Sequence, residues 1–584
     1  MRSVIFRVIL ILIFFTSLAF SQQKEVSKDP YANEPCVYVS QKGNDNNPGT
    51  KDLPFKTIEV AIDKGVIFGV NVVKVAQGTY TPGSGLNTGF SGVAIKHHNI
   101  KLIGGYDENF TSITSYSILD GQNKIQAIIE VREVTNTTIE NFIVMGATNR
   151  EKAEKNGGGI YLNKSDYSTI KNIISSNNNV GNGAGICVIG SYNKVLNSKL
   201  LNNKGENGSG IFVIGNYNQI SSLTSQSNTS TIWGGNYISG ISNTINNLEI
   251  SYNSAREGGG IYIDKGIANQ ILDSSINNNN AQNSGGGIFV NIGAGNIIKS
   301  TINNNISRDG GGVYGFKTTS LVLESNIKEN KASRNGGGLF LETTYKCSIN
   351  STISQNTAES MGGGIFVRGD ENIIQGTISN NKSKEKGGGI YLTGFKNLIS
   401  ANIQGNSSDK DGGGIYIELS ESTKVEKSTI NQNTAGNIGG GIFTTKDLET
   451  TINDSQIVNN SAKLHGGGIA IYDSTNSSLL SLDITQNKAE ITNSVIYLYK
   501  TEGVINFVIS NSTIGSTSES KGFGIYEDGI NDIILQKIIG NTFVVETLQG
   551  GLYRDFKLEN TWLITAVNNP KFSGAAEAKD NKQK

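Results

Sequence analysis

A triplet of glycines followed by an aliphatic residue, and usually then an aromatic one, recurs down most of this chain. It reads Gly157-Gly158-Gly159-Ile160-Tyr161, Gly258-Gly259-Gly260-Ile261-Tyr262 and Gly285-Gly286-Gly287-Ile288-Phe289, with further copies at Gly310, Gly336, Gly362, Gly387, Gly412, Gly439 and Gly466. Worn copies fall between them at Gly183-Ala184-Gly185-Ile186, Gly208-Ser209-Gly210-Ile211 and Trp233-Gly234-Gly235. Gly157 and Gly466 are 309 residues apart, in twelve steps of 25 to 27. A period that regular specifies a solenoid, which grows by adding coils and starts no new core.

One coil shows how the chain is laid out. In Gly387 to Asn406, alternation at Ile390-Tyr391-Leu392 predicts a short strand, Asn397-Leu398-Ile399 a second and Ala401-Asn402-Ile403 a third. Three short strands per turn with no helical pattern between them describe a single-stranded right-handed parallel β-helix of about 20 coils. The residue after the glycines is aliphatic throughout (Ile261, Ile288, Val313, Leu339, Ile365, Ile390, Ile415, Ile442), as is nearly every residue two further on. Those columns belong inside, where burial stabilises by roughly 1.5–3 kcal/mol per side chain. The column between them must then face outward: Tyr262, Phe289, Tyr314, Phe340, Phe366, Tyr391, Tyr416, Phe443. An Ile-x-x-Asn motif ending at Asn356, Asn381, Asn406, Asn433, Asn460 and Asn487 marks a corner. Asparagine there can bond neighbouring backbone and, stacked in register, the asparagine of the next coil.

Composition narrows the class. With 72 glycines and 6 prolines the chain is neither collagenous nor proline-rich, and 50 basic against 50 acidic residues leave no net charge. A nucleic-acid partner, which needs a basic stripe, is not expected. Arg2 and Arg7 ahead of the apolar residues 8–20, with Ala19-Phe20-Ser21 as a small-x-small site, predict a signal peptide over residues 1–21. The apolar run is too short to span a bilayer, so no transmembrane segment is expected in the mature chain. Residues 22–156 read as an N-terminal cap and first coils, 157–566 as the regular β-helix and 567–584 as a polar tail. Cys36, Cys187 and Cys347 are too far apart in such a stack to form a disulfide framework.

The pairing of Gly-Gly-x-Ile/Leu/Val with aliphatic-x-x-Asn, over about residues 157–553, resembles the repeat of the chlamydial polymorphic outer-membrane proteins. That resemblance implies a β-helical surface passenger. Those proteins end in a membrane barrel, whereas worn repeats here continue at Ser494-Val495-Ile496-Tyr497, Gly522-Phe523-Gly524-Ile525-Tyr526 and Gly550-Gly551-Leu552-Tyr553, so no barrel is expected within this sequence. The N-terminal stretch, from Tyr38-Val39-Ser40 through Gly43-Asn44-Asp45 to Pro54-Phe55-Lys56-Thr57-Ile58, is similar to the opening of secreted pectate-lyase-like β-helix proteins. In those, a first strand and a short helix (here about residues 55–64) cover the end of the stack.

That fold hosts lyases, hydrolases and epimerases, so activity must be argued from residues. No adjacent aspartate pair and no Gly-His-Gly occurs, and Arg150-Glu151-Lys152 stands alone in a charged stretch. His97, His98 and His465 are the only histidines; they read as exposed loop or turn residues, with a metal pair at His97-His98 as the alternative. Asp409 and Asp411 flank Lys410 on a turn with no evident partner above or below, and Asp45 belongs to a Gly/Asn turn. No catalytic residue, cofactor or metal is assigned. The aromatic column is the candidate contact surface, either a ladder that steadies the sheet or a platform for sugar rings or a protein partner. The reading is a secreted or surface-exposed β-helical scaffold, adhesin-like or carbohydrate- or protein-binding, with glycans or cell-surface proteins as partners. A polysaccharide lyase or other carbohydrate-active enzyme is the alternative, favoured by acids and a Lys or Arg converging across adjacent coils.

Overall fold

The computed structural model describes residues 29–149, 155–480, 482–490 and 494–499, and from 506 onward the backbone of strands only. The expected signal segment 1–21, nearly all of the tail 567–584 and Arg150-Glu151-Lys152 lie outside the described residues. The chain is an all-β, right-handed parallel β-helix of about 16 turns, 2% helical. It divides into two compact units, residues 1–204 and 205–584.

In the first unit the strand Cys36–Val39 pairs in parallel with Val72–Ala76, and that strand in turn with Lys101–Tyr106. Val72 pairs with Lys101, Lys101 with Thr138 and Thr138 with Thr169, so these coils run 29, 37 and 31 residues. They are longer than the 26-residue period, and the turns number about 16 where about 20 were expected. Among the described residues one helix forms, α1 (Ile58–Ile67), which buries Ile58, Ala61, Ile62 and Gly65. Its start is fixed by Asp45, whose carboxylate accepts from the Lys56 and Thr57 backbone N–H groups at 3.0 and 2.9 Å and from the Thr57 hydroxyl at 3.1 Å. The helix lies three residues later than 55–64, because residues 54 and 55 are held extended by backbone pairing to Tyr38 and Asn44.

Each coil of the second unit as far as Ala489 contributes to three parallel sheets. In the coil beginning at Gly387 these strands are Ile390–Phe395 in the first sheet, Leu398–Gln404 in the second and Ser407–Ser408 in the third. Register is kept residue for residue: Ile390, Tyr391 and Leu392 lie on Ile415, Tyr416 and Ile417 of the next coil. Ile390, Leu392, Ile399 and Ile403 are fully buried, as the aliphatic columns require.

Glycine is needed in the triplet for two reasons. Gly387 has φ +64°, which a side chain rarely adopts, and a Cβ on Gly388 would lie 2.4 Å from the Gly413 carbonyl oxygen. The triplets therefore stack backbone on backbone, as where Gly388 N–H donates to Gly412 O at 3.0 Å.

The asparagine corner forms a continuous ladder. The Asn381 N–H donates to Asn406 Oδ1 at 2.9 Å, the Asn381 side-chain amide to the same oxygen at 3.0 Å, and also to Ile353 O at 2.8 Å. The same three-bond pattern links Asn279, Asn305, Asn330, Asn356, Asn381, Asn406, Asn433 and Asn460. A second ladder, not expected from the motif, runs through Asn218, Asn243, Asn269 and Asn296 at the corner between the first and second sheets. It resumes at Asn372 and Asn397. Leu321 and Cys347 occupy the gap, where Cys347 N–H donates to Asn372 Oδ1 at 3.0 Å.

Candidate functional site

The predicted contact residues Tyr262, Phe289, Tyr314, Phe340, Phe366, Tyr391, Tyr416 and Phe443 do form one column on the outer side of the first sheet. Successive ring centroids are 5.0, 4.8, 4.9, 4.4, 4.6, 5.5 and 5.0 Å apart. They are not an exposed stripe: each is between 1% and 7% accessible. Two packing effects close the column. At strand spacing each ring packs against the next, edge-to-face from Tyr262 to Phe366 and stacked from Phe366 to Tyr416, and the flanking columns cover what remains. Trp233 lies 5.7 Å from Tyr262, and Lys386 Nζ stands 4.6 Å from the centre of the Tyr416 ring.

The phenols are also engaged. Tyr391 donates to Glu418 at 3.0 Å, Glu418 accepts Lys386 at 2.9 Å, Tyr237 donates to Asp264 at 2.9 Å, and Tyr314 donates to Glu342. Burial, reinforced by the Glu418 charge, holds the Tyr391 phenol well above its ordinary pKa. Where Ala470 interrupts the column, Tyr472 of the adjacent column supplies a ring 5.2 Å from Phe443 and 5.6 Å from Tyr497.

An open site lies elsewhere, on the outer side of the second sheet. A groove of about 580 Å³, within the size range of ligand pockets, crosses four consecutive coils. Leu248, Ser274 and Ser300 form its floor. One wall carries Asn247, Asp273, Lys299 and Glu324, and the other Glu249, Ser275, Thr301 and Asn326.

Strand register explains why the groove is here. The strands Thr244–Ser251 and Gln270–Asn277 each hold an extra residue, Asn247 at φ +56° and Asp273 at φ +46°, both bulged into the left-handed region. The next strand, Ile297–Asn303, lacks it, and the register shifts between Leu272 and Ser275. The wall therefore steps where the bulge ends. The floor is tied by serines: Leu248 N–H donates to Ser274 Oγ at 3.1 Å, Ser274 N–H to Ser300 Oγ at 3.3 Å and Ser300 N–H to Ser325 Oγ at 3.2 Å.

Lys299 and Glu324 pair at 2.8 Å across adjacent coils, whereas Glu249 and Asp273 make no ion pair among the described residues. Sequence reading missed these acids because it sought them in the first sheet's outward columns. Glu249 lies in register with Ser275, and Asp273 is the bulge residue of its own strand, so the two acids form no column that the repeat could reveal.

The other candidates resolve into structural roles. His97 Nε2 lies 3.0 Å from Asp63 of α1 and His98 Nδ1 3.1 Å from Thr135 Oγ1, so the two rings have separate partners. His465, expected to be a solvated turn residue, stacks on Tyr497 at 4.4 Å. Asp409 does have a partner in the preceding coil, Lys382 at 3.3 Å, and the half-buried Asp411 carboxyl is raised by desolvation. Among the described residues no three His, Cys, Asp or Glu side chains converge as a metal site, and no helix is long and apolar enough to cross a membrane.

A family model described as "Periplasmic copper-binding protein (NosD)" matches residues 325–439, about one-fifth of the chain. That segment contains no histidine, and its one thiol, Cys347, is buried against Thr318 with its pKa raised by desolvation. The soft or imidazole ligands that copper favours are not assembled there. Solved structures similar to this chain include pectate lyase Pel9A (15% identity, 68% of this chain and 79% of that one, TM-score 0.24). The catalytic domain of a GH87 α-1,3-glucanase is another (11% identity, 84% and 70%, TM-score 0.30). So is DFA-IIIase from Arthrobacter chlorophenolicus A6 (10% identity, 76% and 94%, TM-score 0.26). No curated protein matches. At these scores the likenesses carry no activity across, and the fold rests on the strand pairing itself.

Proposed function

We propose that this chain is a secreted or surface-exposed β-helical scaffold that binds glycan in an adhesin-like role without cleaving it. The observation that carries this reading is the second-sheet groove, whose open polar walls are drawn from four successive coils. An extended ligand with a monomer repeat near the strand spacing of about 4.8 Å can meet a polar group at each coil. The aromatic column, closed by its own packing, supplies stability and not contact.

The signal-like residues 1–21 support export, and a periplasmic family description is in keeping with that. The lyase alternative gains from the groove's acids beside Lys299. It is disfavoured because that lysine is neutralised by Glu324 and no metal-holding carboxylate cluster forms among the described residues. A glycan array probed with the purified chain tests the reading. Retention of a polysaccharide that Glu249→Gln/Asp273→Asn weakens is expected, and an array on which nothing binds would sink it.

A further inference from the structure

The groove's charges select among glycans. Resting on the glycan-binding reading above, we infer that the groove takes a glycan bearing protonated amino groups and rejects polyuronates.

Of the four ionisable groups on its walls, Lys299 and Glu324 cancel each other at 2.8 Å. Glu249 and Asp273 remain, exposed, on opposite walls and in adjacent coils, without an ion pair among the described residues. Both face the half of the groove in which Asn247 and Ser275 offer neutral hydrogen-bonding groups. Two unpaired carboxylates confronting one strip repel an anionic chain and attract an ammonium, each contact strengthened when charge meets a hydrogen-bond donor. In the other half Thr301 and Asn326, beside the Lys299–Glu324 pair, suit hydroxyl-bearing sugar rings of either type. The floor serines spend their hydroxyls accepting from backbone N–H groups, which keeps the strip rigid. A second-sheet bulge residue outside the groove, Asp454, is exposed and has the same left-handed backbone (φ +47°), which makes it an internal control.

The test uses the full chain and three probes of equal length: a glucosamine hexamer, its fully N-acetylated form and an oligogalacturonate. Titration calorimetry at low salt should show the glucosamine hexamer binding at least tenfold tighter than the acetylated form, with no galacturonate binding. Glu249→Gln/Asp273→Asn should remove that preference, whereas Asp454→Asn should retain it. Asparagine tolerates the left-handed backbone at 273 and 454, and an unchanged circular dichroism melt would exclude misfolding as the cause of a loss.

Galacturonate binding as tightly as glucosamine would overturn the inference. So would a preference that survives in the double variant, or one that Asp454→Asn removes equally, which would mark mere attraction of a polycation to surface acids. If the hexamers fail to bind while an array detects another glycan, the inference falls and the glycan-binding reading stands. If nothing binds in either assay, both fall.

Discussion

Asp447 lies inside the coil, in a column whose neighbours are Ser420 and Ser474, and it is 3% accessible. Its Oδ1 accepts the Ser420 N–H at 3.0 Å, while Oδ2 is buried without a partner. Desolvation, with the Glu418 charge adding to it, pushes the carboxyl up to about 7 from 3.8. Between those values the native chain holds a proton that the unfolded chain has released. Stability therefore falls as pH rises from about 4 to about 7 and then levels off, a loss on the order of 4 kcal/mol. Asp447→Asn should flatten that part of the melting-temperature profile and raise the melting temperature at pH 8, while changing little at pH 4. An unchanged slope would place the titration elsewhere. Asn406 is a second residue-scale test, since it makes three buried bonds within one ladder. Asn406→Ala should cost about 2–4 kcal/mol in denaturant unfolding, because its partners are left buried and unpaired. That ladder was legible in the Ile-x-x-Asn spacing. Asp447 was not, because its burial depends on which way a corner residue turns.

At the scale of the strand, the period itself varies for a physical reason. Coils gain a residue where the second-sheet strand bulges, at Asn247 and Asp273 and again at Lys427 and Asp454, and lack it at Lys299 and Glu324. The aliphatic-aromatic-aliphatic alternation correctly separated an inner from an outer face in the first sheet. It could not show that rings about 4.8 Å apart would close over one another, nor that Lys386 and Glu418 would seal their edges. Tyr391→Ala and Tyr416→Ala should each lower the melting temperature, in keeping with about 0.5–1.5 kcal/mol per lost ring pair plus lost burial, while leaving glycan retention unchanged. Loss of retention without loss of stability would restore the platform role to the column. The second-sheet groove was hidden for the opposite reason. Its acids are ordinary surface residues in sequence, and they line one groove only because Asp273 is a bulge residue and the register steps between Leu272 and Ser275.

For the molecule as a whole, the glycine triplet was enough to specify the architecture. Period, inner columns and corner asparagines all agree with it, and a sequence whose local choices agree specifies one fold. Function was less legible because a solenoid spreads it over positions that no single motif marks. A groove that holds a glycan without cutting it leaves the polymer intact. The direct measurement is to incubate the purified chain with a panel of neutral, amino-sugar and uronate polysaccharides, recover the bound fraction and determine its chain length and end groups. Polymer retained by the protein at undiminished length is expected, with no unsaturated uronates and no new reducing ends. Shortened chains whose release Glu249→Gln or Lys299→Gln abolishes would contradict it and establish the groove as an active site.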